Sequence, residues 1–306
     1  MFGSRAIAAA CTSAVLMWVI VSPGLRAASA ATIESTASAA SALVAGTSTP
    51  TCGGSRPIKP GGGRYTCTFT EDFTGSTLDA SKWVVQTTAA SGFTTGESDC
   101  YLNSKNNIAV SGGSLHLTAR VETSPTLCKS PVGDFTSTQT AGSVVTWGKF
   151  AQTYGRFEFR AKFPATTTVG IDSALWLVPQ ALTYGQWPNS GEIDVAEWFG
   201  NAWGTNVYPS VHYAGEIKSL STGYNCPMPT ATTSFHTYAV NWTPTSMSFY
   251  YDNKLCYQHA WTPLAPLIGP QPFDKPFVIA LTQAGGWGGP AGSKVTMDVD
   301  WVRAWK

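Results

Sequence analysis

Short runs of β-branched and aromatic residues, separated by Gly, Pro, Ser and Asn, make up most of the chain from Thr66 onward. Apolar and polar residues alternate within these runs, which is the pattern of a strand with one buried face. No convincing amphipathic helix interrupts them, and the nearest is a short polar turn around Asp79–Lys82. Many short strands without helices predict an all-β fold, either a sandwich or a barrel. Representative runs are Ser114–Thr118, Arg156–Arg160, Ser248–Tyr251 and Thr296–Trp301.

The segment Gly191–Trp198 places three carboxylates, those of Glu192, Asp194 and Glu197, within six residues of a chain in which 12% of residues are charged. The residues between them favour a strand, and strand alternation puts Glu192 and Asp194 on one face. Glu197, at an odd offset, would point to the opposite face of a regular strand. One β-bulge near Val195–Ala196 would return it to the side of the other two.

Such a bulge leaves four effective strand positions between Glu192 and Glu197, roughly 13 Å between their Cα atoms at about 3.3 Å per residue. Each carboxylate can lean inward by about 4 Å, which leaves roughly 5 Å, the separation that retaining glycosidases use. Asp194 would lie between them and push their two pKa values apart, as a nucleophile and an acid require. Taken alone, the pattern also fits an acidic, solvated edge strand or half of a cation site.

The first part of the chain carries no strand signal. Residues 1–30 have the features of a secretory signal peptide, with Arg5, the apolar run Ala6–Val21 and a small-residue cleavage site. Residues 31–51 are almost entirely Ala, Ser and Thr, which predicts a flexible linker. The remainder, residues 52–306, fits one large domain. We therefore expect a secreted, extracellular protein.

One of the seven cysteines, Cys11, lies in the predicted signal peptide, and the six that follow predict disulfides in an exported chain. We expect near neighbours to pair, as Cys52–Cys67, Cys100–Cys128 and Cys226–Cys256. The net charge of +1 argues against nucleic acid and strongly sulfated polymers as partners. No second apolar span follows the signal, so we expect no membrane anchor, and we expect a monomer.

Further motifs surround the three acids. They are Thr70–Phe73, Lys82–Trp83, Asn106–Ile108, Gly113–Leu115, Tyr154–Lys162, Ala174–Leu177, Phe235–Pro244 and Val299–Trp305. Together with Gly191–Glu197, these motifs resemble glycoside hydrolase family 16 in its laminarinase-like form, over most of the chain beyond the linker. The resemblance implies a β-jelly-roll sandwich of two antiparallel sheets with a concave substrate groove.

The family implies endo-hydrolysis of β-glucans with retention of anomeric configuration. By position, Glu192 would be the nucleophile, Glu197 the general acid/base and Asp194 the assisting carboxylate. Other positions match residues that contact the substrate. They are Asn107, Glu158, Arg160, Trp176, Trp187, His212 and Gln283.

Several of these positions have a second interpretation. Trp187 and Trp176 would stack on sugar rings, with core packing as the alternative. Glu158 and Arg160 also fit an exposed ion pair of little energetic value, and His212 also fits a satisfied core histidine. The segment Leu281–Gly286 departs from the usual laminarinase pattern, because Gln283 stands where a groove asparagine is usual.

The resemblance also implies a structural calcium on the convex side, away from catalysis. The Asp300 side chain, the main chain near Gly113, and Glu71 would supply the hard oxygen ligands that this ion prefers. We expect no cofactor for catalysis.

The sequence thus predicts a β-glucanase that hydrolyses β-1,3-glucan, with mixed-linkage β-1,3-1,4-glucan as a second substrate. The bulged strand favours the β-1,3 linkage over specialised mixed-linkage enzymes. A galactan hydrolase and a transglycosylase on the same fold stay open, because water and a sugar hydroxyl compete for the same glycosyl-enzyme. A non-catalytic β-glucan recognition module is the alternative from another class, and the presence of both glutamates argues against it.

Overall fold

The structure is a computed structural model that describes residues 49–96, 99–166, 168–200, 205–286 and 294–306. The predicted signal peptide and nearly all of the predicted linker lie outside the described residues. Within the described ranges, no helix has the length and apolar character that crossing a membrane requires.

Strands dominate the described residues, and the predicted all-β class is confirmed. The first strands are β1 (Cys67–Glu71), β2 (Val84–Val85), β3 (Cys100–Tyr101), β4 (Ile108–Ser111), β5 (Ser114–Cys128), β6 (Phe135–Val145), β7 (Gly155–Lys162) and β8 (Asp172–Pro179). The later strands are β9 (Glu192–Trp198), β10 (Tyr208–His212), β11 (His236–Trp242), β12 (Met247–Tyr251), β13 (Lys254–His259), β14 (Phe277–Ala284) and β15 (Lys294–Trp305). Helices in the described ranges are single turns, namely a 3₁₀ turn at Cys52–Gly54, α1 (Thr88–Ser91) and α2 (Lys218–Ser221).

The strands follow one hydrogen-bonded path, β10-β9-β8-β14-β6-β5-β15-β7-β11-β12-β13. The long strand β6 bends this path into two layers, since residues 142–145 pair with β14 and residues 135–140 pair with β5. We call β10-β9-β8-β14-β6 the front sheet and β5-β15-β7-β11-β12-β13 the back sheet. This arrangement confirms the predicted jelly-roll sandwich.

The main core lies between the two sheets. Phe157 and Phe159 of the back sheet meet Leu175 and Ile193 of the front sheet there, and all four are fully buried. Removing such side chains from water stabilises the fold by about 25 cal/mol per Å² of apolar area. The alternation of each strand therefore decides which of its residues face this core.

A second apolar cluster lies on the face of the front sheet that is turned away from the core, which we call the front face. Trp176 and Ala280 contribute to this cluster from the sheet, and Phe93 and Tyr101 contribute from the preceding part of the chain. These residues are buried although they lie outside the sandwich. The front face is therefore recessed beneath chain segments that pack against it.

All three predicted disulfides are present. Cys52–Cys67 joins the N-terminal 3₁₀ turn to β1, Cys100–Cys128 joins β3 to the end of β5, and Cys226–Cys256 joins the segment after α2 to β13. Each bond restricts the unfolded chain, and such bonds persist in oxidising compartments.

Candidate active site

Strand β9 contains the bulge that the three acids require. On β8, Trp176 is paired with Asp194 and Ala174 with Glu197, so three steps of β9 oppose two of β8. Residues paired directly across two strands share a face of the sheet. Asp194 and Glu197 therefore lie on the same face as Trp176, which is the front face.

Core packing and a tyrosine hold this bulge. Val195 and Ala196 are consecutive residues, yet both are fully buried in the main core, which leaves Glu197 facing forward. A bulge takes backbone groups out of the strand ladder. Here the hydroxyl of Tyr251, on the back sheet, donates a hydrogen bond to the Val195 carbonyl at 3.1 Å.

The start of β9 is set by Gly191. Its φ is +85°, and a Cβ atom there would lie 2.6 Å from Cε1 of Phe273, so glycine alone fits the turn that presents Glu192. On the neighbouring β10, His212 is paired with Glu192 and Tyr208 with Glu197. Four positions of β10 thus separate the two glutamates, which is roughly 13 Å at about 3.3 Å per residue.

Burial raises the pKa of all three carboxyls, and neighbouring acids add to it. Burial is the main cause for Glu192, whose pKa rises to about 7, and for Glu197, whose pKa rises to about 8. Burial and then the charges of Glu197 and Glu192 raise the pKa of Asp194 well above its usual range. The largest charge effect on Glu192 comes from His212 and favours ionisation, whereas the largest on Glu197 comes from Asp172 and opposes it. This asymmetry is what a nucleophile beside a proton donor requires.

His212 lies between two acids. Its Nε2 is 3.3 Å from Oδ2 of Asp194, and its Nδ1 donates a hydrogen bond to Oε1 of Glu216 at 3.0 Å. Ser221 in turn donates to Oε2 of Glu216 at 2.6 Å. Burial lowers the pKa of His212, but Glu216 and Glu192 outweigh burial and raise that pKa to about 8. The resulting positive charge favours the ionised form of Glu192.

Trp187 lies beside this group, with its ring 5.9 Å from the ring of His212. Its buried indole N–H interacts with the Glu192 carboxylate and lowers the pKa of that group. Trp187 therefore favours the ionised form of Glu192, and its stacking on a sugar ring stays a prediction.

Trp176 also lies on the front face, but it is 5% exposed. Its ring is stacked against Phe93 at 6.0 Å, and its Nε1 donates to Oγ1 of Thr282 at 3.0 Å. Trp176 therefore forms the floor of the front face and is not an open stacking platform.

The prediction that Glu158 and Arg160 bind the substrate is wrong. Their strand, β7, pairs with β11 and β15 and so belongs to the back sheet. Because Phe157 fills the core, Glu158 and Arg160 face outward on the opposite side of the molecule from the three acids. Glu158 accepts a hydrogen bond from Nε of Arg156 at 2.8 Å, and Arg160 pairs with Asp300. The alternative prediction of an exposed ion pair between Glu158 and Arg160 is therefore wrong as well.

The structure also contradicts direct substrate contact by Asn107 and Gln283. Asn107 is 1% exposed, and its Nδ2 donates to the carbonyl of Thr118 and to Oγ1 of Thr140, both at 3.0 Å. Gln283 is fully buried, and its Oε1 accepts a hydrogen bond from Ser173 at 2.7 Å. Both amides link strands within the protein interior.

Two of the three residues proposed for calcium lie against cationic side chains in this structure. Glu71 lies 3.3 Å from Nζ of Lys82, and Asp300 pairs with Arg160, so both carboxylates already have cationic partners. Gly113 lies in the turn between β4 and β5. Calcium binding by these residues stays a prediction.

Within the described part of the chain, one group of acids and histidines has ligand atoms within 4.8 Å of one another, and it consists of Glu192, Asp194 and His212. Strand pairing already brings these groups together, because His212 lies opposite Glu192 on β10.

A fourth carboxylate on the front face, that of Asp172, was missed from the sequence. Asp172 is the first residue of β8 and lies two and four positions before Ala174 and Trp176, so strand alternation places it on the same face as these residues. This alternation could have identified Asp172 from the sequence. Burial and then the charges of Asp99 and Glu192 raise its pKa to about 7.

A family model described as glycosyl hydrolases family 16 matches residues 95–303. Glucan endo-1,3-beta-glucosidase A1 of Niallia circulans is 34% identical over 258 residues, which are 77% of this chain and 37% of that protein. Beta-glucanase of Rhodothermus marinus is 36% identical over 184 residues, which are 55% of this chain and 62% of that protein. The matches thus span less than two thirds of each of these relatives.

Among solved structures, the X-ray structure of the laminarinase from Rhodothermus marinus aligns with a TM-score of 0.65 and 31% identity. The alignment covers 79% of this chain and 97% of that chain. The likeness therefore extends over nearly the whole of that structure.

Proposed function

Because the chain belongs to glycosyl hydrolases family 16, we propose that it is a secreted, endo-acting β-glucanase that hydrolyses β-1,3-glucan with retention of configuration. Mixed-linkage β-1,3-1,4-glucan is its second substrate. The observation that carries the proposal is the bulge in β9, which brings Glu197 to the side of Glu192 and Asp194. The names of the similar glucanases and the laminarinase support the substrate class. The disulfides, together with the predicted signal peptide, support export.

The first step breaks the glycosidic bond. Glu197 donates its proton to the leaving oxygen while ionised Glu192 attacks the anomeric carbon, which forms a covalent glycosyl-enzyme. In the second step, the ionised Glu197 takes a proton from water, the water oxygen bonds to the anomeric carbon, and Glu192 leaves. Asp194, whose raised pKa keeps its proton, can donate a hydrogen bond within the cluster as charge moves between the glutamates.

The assignment is tested with the variant Glu192→Gln, which keeps the side-chain volume but removes the nucleophile. We expect release of reducing ends from laminarin to fall by about 10⁴-fold or more. Glu158→Gln is the matched control, because it makes the same chemical change on the outer face of the back sheet. Undiminished turnover by Glu192→Gln, or an equal loss in Glu158→Gln, would reject the assignment.

Linkage preference and retention are tested on the wild-type protein. Laminarin, barley mixed-linkage glucan, agarose and β-1,3-galactan form the substrate panel, with products followed by mass and the first anomer observed by NMR. We expect cleavage of the first two with β products appearing first. Binding without cleavage across the panel would instead indicate a recognition module.

A further inference from the structure

Tyr224 is the one aromatic side chain in the described ranges that is exposed. Its exposed fraction is 57%, whereas the other rings in those ranges are buried or half-buried. A single exposed apolar side chain is ordinary on a protein surface. The location of Tyr224 relative to the three acids therefore decides whether its ring has a role.

Residues 222–228, which follow α2, extend the front sheet beyond its edge strand β10. Thr222 forms an antiparallel bridge with Ser210, and Pro227 forms an antiparallel bridge with Asn206. The segment therefore runs beside β10 as one more extended length of chain, which we call the edge segment. Side chains of the edge segment can lie on the front face, next to those of β10.

Tyr224 lies on the same face of the front sheet as the acids. Across β9 and β10, Glu197 is paired with Tyr208, so both side chains lie on the front face. The ring of Tyr224 lies edge-to-face against the ring of Tyr208, with 6.2 Å between their centroids. Neighbouring strands are about 4.8 Å apart, so Tyr224 lies about 10 Å from Glu197, measured across the strands.

The backbone around Tyr224 is held firmly. The N–H of Gly223 donates a hydrogen bond to the carbonyl of Pro209 at 2.8 Å. A Cβ atom on Gly223 would lie 2.8 Å from Cγ of Pro209, so glycine allows the edge segment to approach β10 this closely. Two residues after Tyr224, Cys226 is joined by a disulfide to Cys256 of β13. The ring is therefore exposed on a fixed backbone, as a preformed binding surface requires.

The position and chemistry of the ring indicate which part of a substrate it meets. In the first step proposed above, Glu197 donates its proton to the leaving oxygen, and the leaving sugar continues from that oxygen. On the β10 side of Glu197, Tyr208 and then Tyr224 are the next side chains across the strands. The apolar face of a tyrosine ring can pack against the C–H face of a sugar ring, and its hydroxyl can bond to sugar hydroxyls. A neutral sugar unit of the same chain is therefore the ligand that this surface suits.

We propose that Tyr224 is a substrate-binding residue whose exposed ring stacks on a neutral sugar unit in the leaving part of the glucan chain, on the β10 side of the cleavage point. The proposal rests on the β-glucanase function proposed above, and it specifies which residue holds the part of the substrate that the first step releases. It assigns binding, and not proton transfer, to Tyr224. Because this contact is the same before and during bond cleavage, KM depends on the ring and kcat does not.

The test compares two substrates that differ in their leaving group. One is a neutral β-1,3-gluco-oligosaccharide with several sugars on the leaving side, and the other is nitrophenyl β-laminaribioside, whose leaving group is a nitrophenol. We expect Tyr224→Ala to raise KM for the oligosaccharide by about 3-fold to 10-fold, with kcat within about twofold of wild type. Both constants for the nitrophenyl glycoside should equal those of wild type. Tyr224→Phe keeps the ring and should match wild type on both substrates.

Tyr250→Ala is the matched control, because it makes the same chemical change on the outer face of the back sheet, where Tyr250 lies against Arg156. It should leave the constants for both substrates unchanged. Thermal unfolding verifies the fold, and Tyr224→Ala should melt close to wild type because most of the ring is already in solvent.

Three results would overturn the role of Tyr224 while leaving the glucanase intact. They are an unchanged KM for the oligosaccharide in Tyr224→Ala, an equal loss on the nitrophenyl glycoside, and an equal loss in Tyr224→Phe or Tyr250→Ala. If the wild type cleaves neither substrate, the proposed function fails and the role of Tyr224 fails with it.

Discussion

Two glutamates on one strand acquire different protonation states because their neighbours differ. For Glu192 the largest charge effect comes from His212, which favours ionisation. For Glu197 the largest comes from Asp172, which opposes ionisation. In the proposed mechanism, the division of labour between nucleophile and acid is set by the charged residues near each glutamate.

The pH dependence of kcat/KM follows from these two states. Glu192 must be ionised and has a pKa of about 7, so the rate should rise with pH through that region. Glu197 must be protonated and has a pKa of about 8, so the rate should fall at higher pH. We expect a bell-shaped pH profile of kcat/KM on laminarin. Its two apparent pKa values belong to the coupled pair of glutamates and lie above the usual pKa range of glutamate. A maximum near about pH 5, with both glutamates at ordinary values, would contradict this expectation.

At the level of elements, the bulge in β9 depends on a contact between the two sheets. Val195 and Ala196 both face the core, and the Val195 carbonyl is bonded by Tyr251 of β12. The back sheet thus takes part in placing Glu197, although it carries none of the three acids. The alternation of β9 alone would turn Glu197 into the core.

Removing the hydroxyl in Tyr251→Phe tests this role. We expect kcat to fall by about 10-fold to 100-fold, because a small displacement of Glu197 misaligns proton transfer. The free energy of unfolding should fall by about 1–3 kcal/mol, because a buried carbonyl loses its partner. Tyr238→Phe is the matched control, since Tyr238 is fully buried against Tyr251 but its hydroxyl has no hydrogen-bond partner. Steady-state kinetics and denaturant unfolding measure the two effects. Equal losses of kcat and of stability in the two variants would contradict this role of Tyr251.

For the whole molecule, the row of acids opposes folding. Asp172, Glu192 and Glu197 all have pKa values raised by burial in the folded state. In the pH range between their ordinary and raised values, the folded protein binds more protons than the unfolded chain. Stability therefore declines as pH rises through that range. The core between the two sheets and the three disulfides must offset this effect.

Thermal unfolding across pH tests this electrostatic opposition. From about pH 5 to about pH 8.5 we expect the Tm of wild type to fall, because the folded state must release protons that the unfolded chain has already released. Glu197→Gln should show a shallower fall and a higher Tm than wild type at the alkaline end. A difference in Tm between the two proteins that stays constant over this range would contradict the explanation.

Strand alternation was enough to predict the all-β class and the bulge at Val195–Ala196, because both depend on residues close together in the chain. The disulfides were predicted separately, from the even number of cysteines and the pairing of near neighbours, and all three are present. Strand alternation also predicted correctly that Phe157 faces the core and Glu158 faces away from it. It could not show that β7 lies in the back sheet, which places Glu158 and Arg160 on the wrong side of the molecule for substrate.

The sequence by itself determined which residues of each strand share a face, since side chains alternate along any strand. Only the tertiary structure decided which sheet a strand joins and which faces other segments cover. Those outcomes bury Asn107 and Gln283 and place Asp172 beside Glu197. The physical reason is the distance along the chain over which each effect operates. Side-chain alternation is set within one strand, whereas strand pairing and the covering of a sheet face bring together residues that are far apart in the chain.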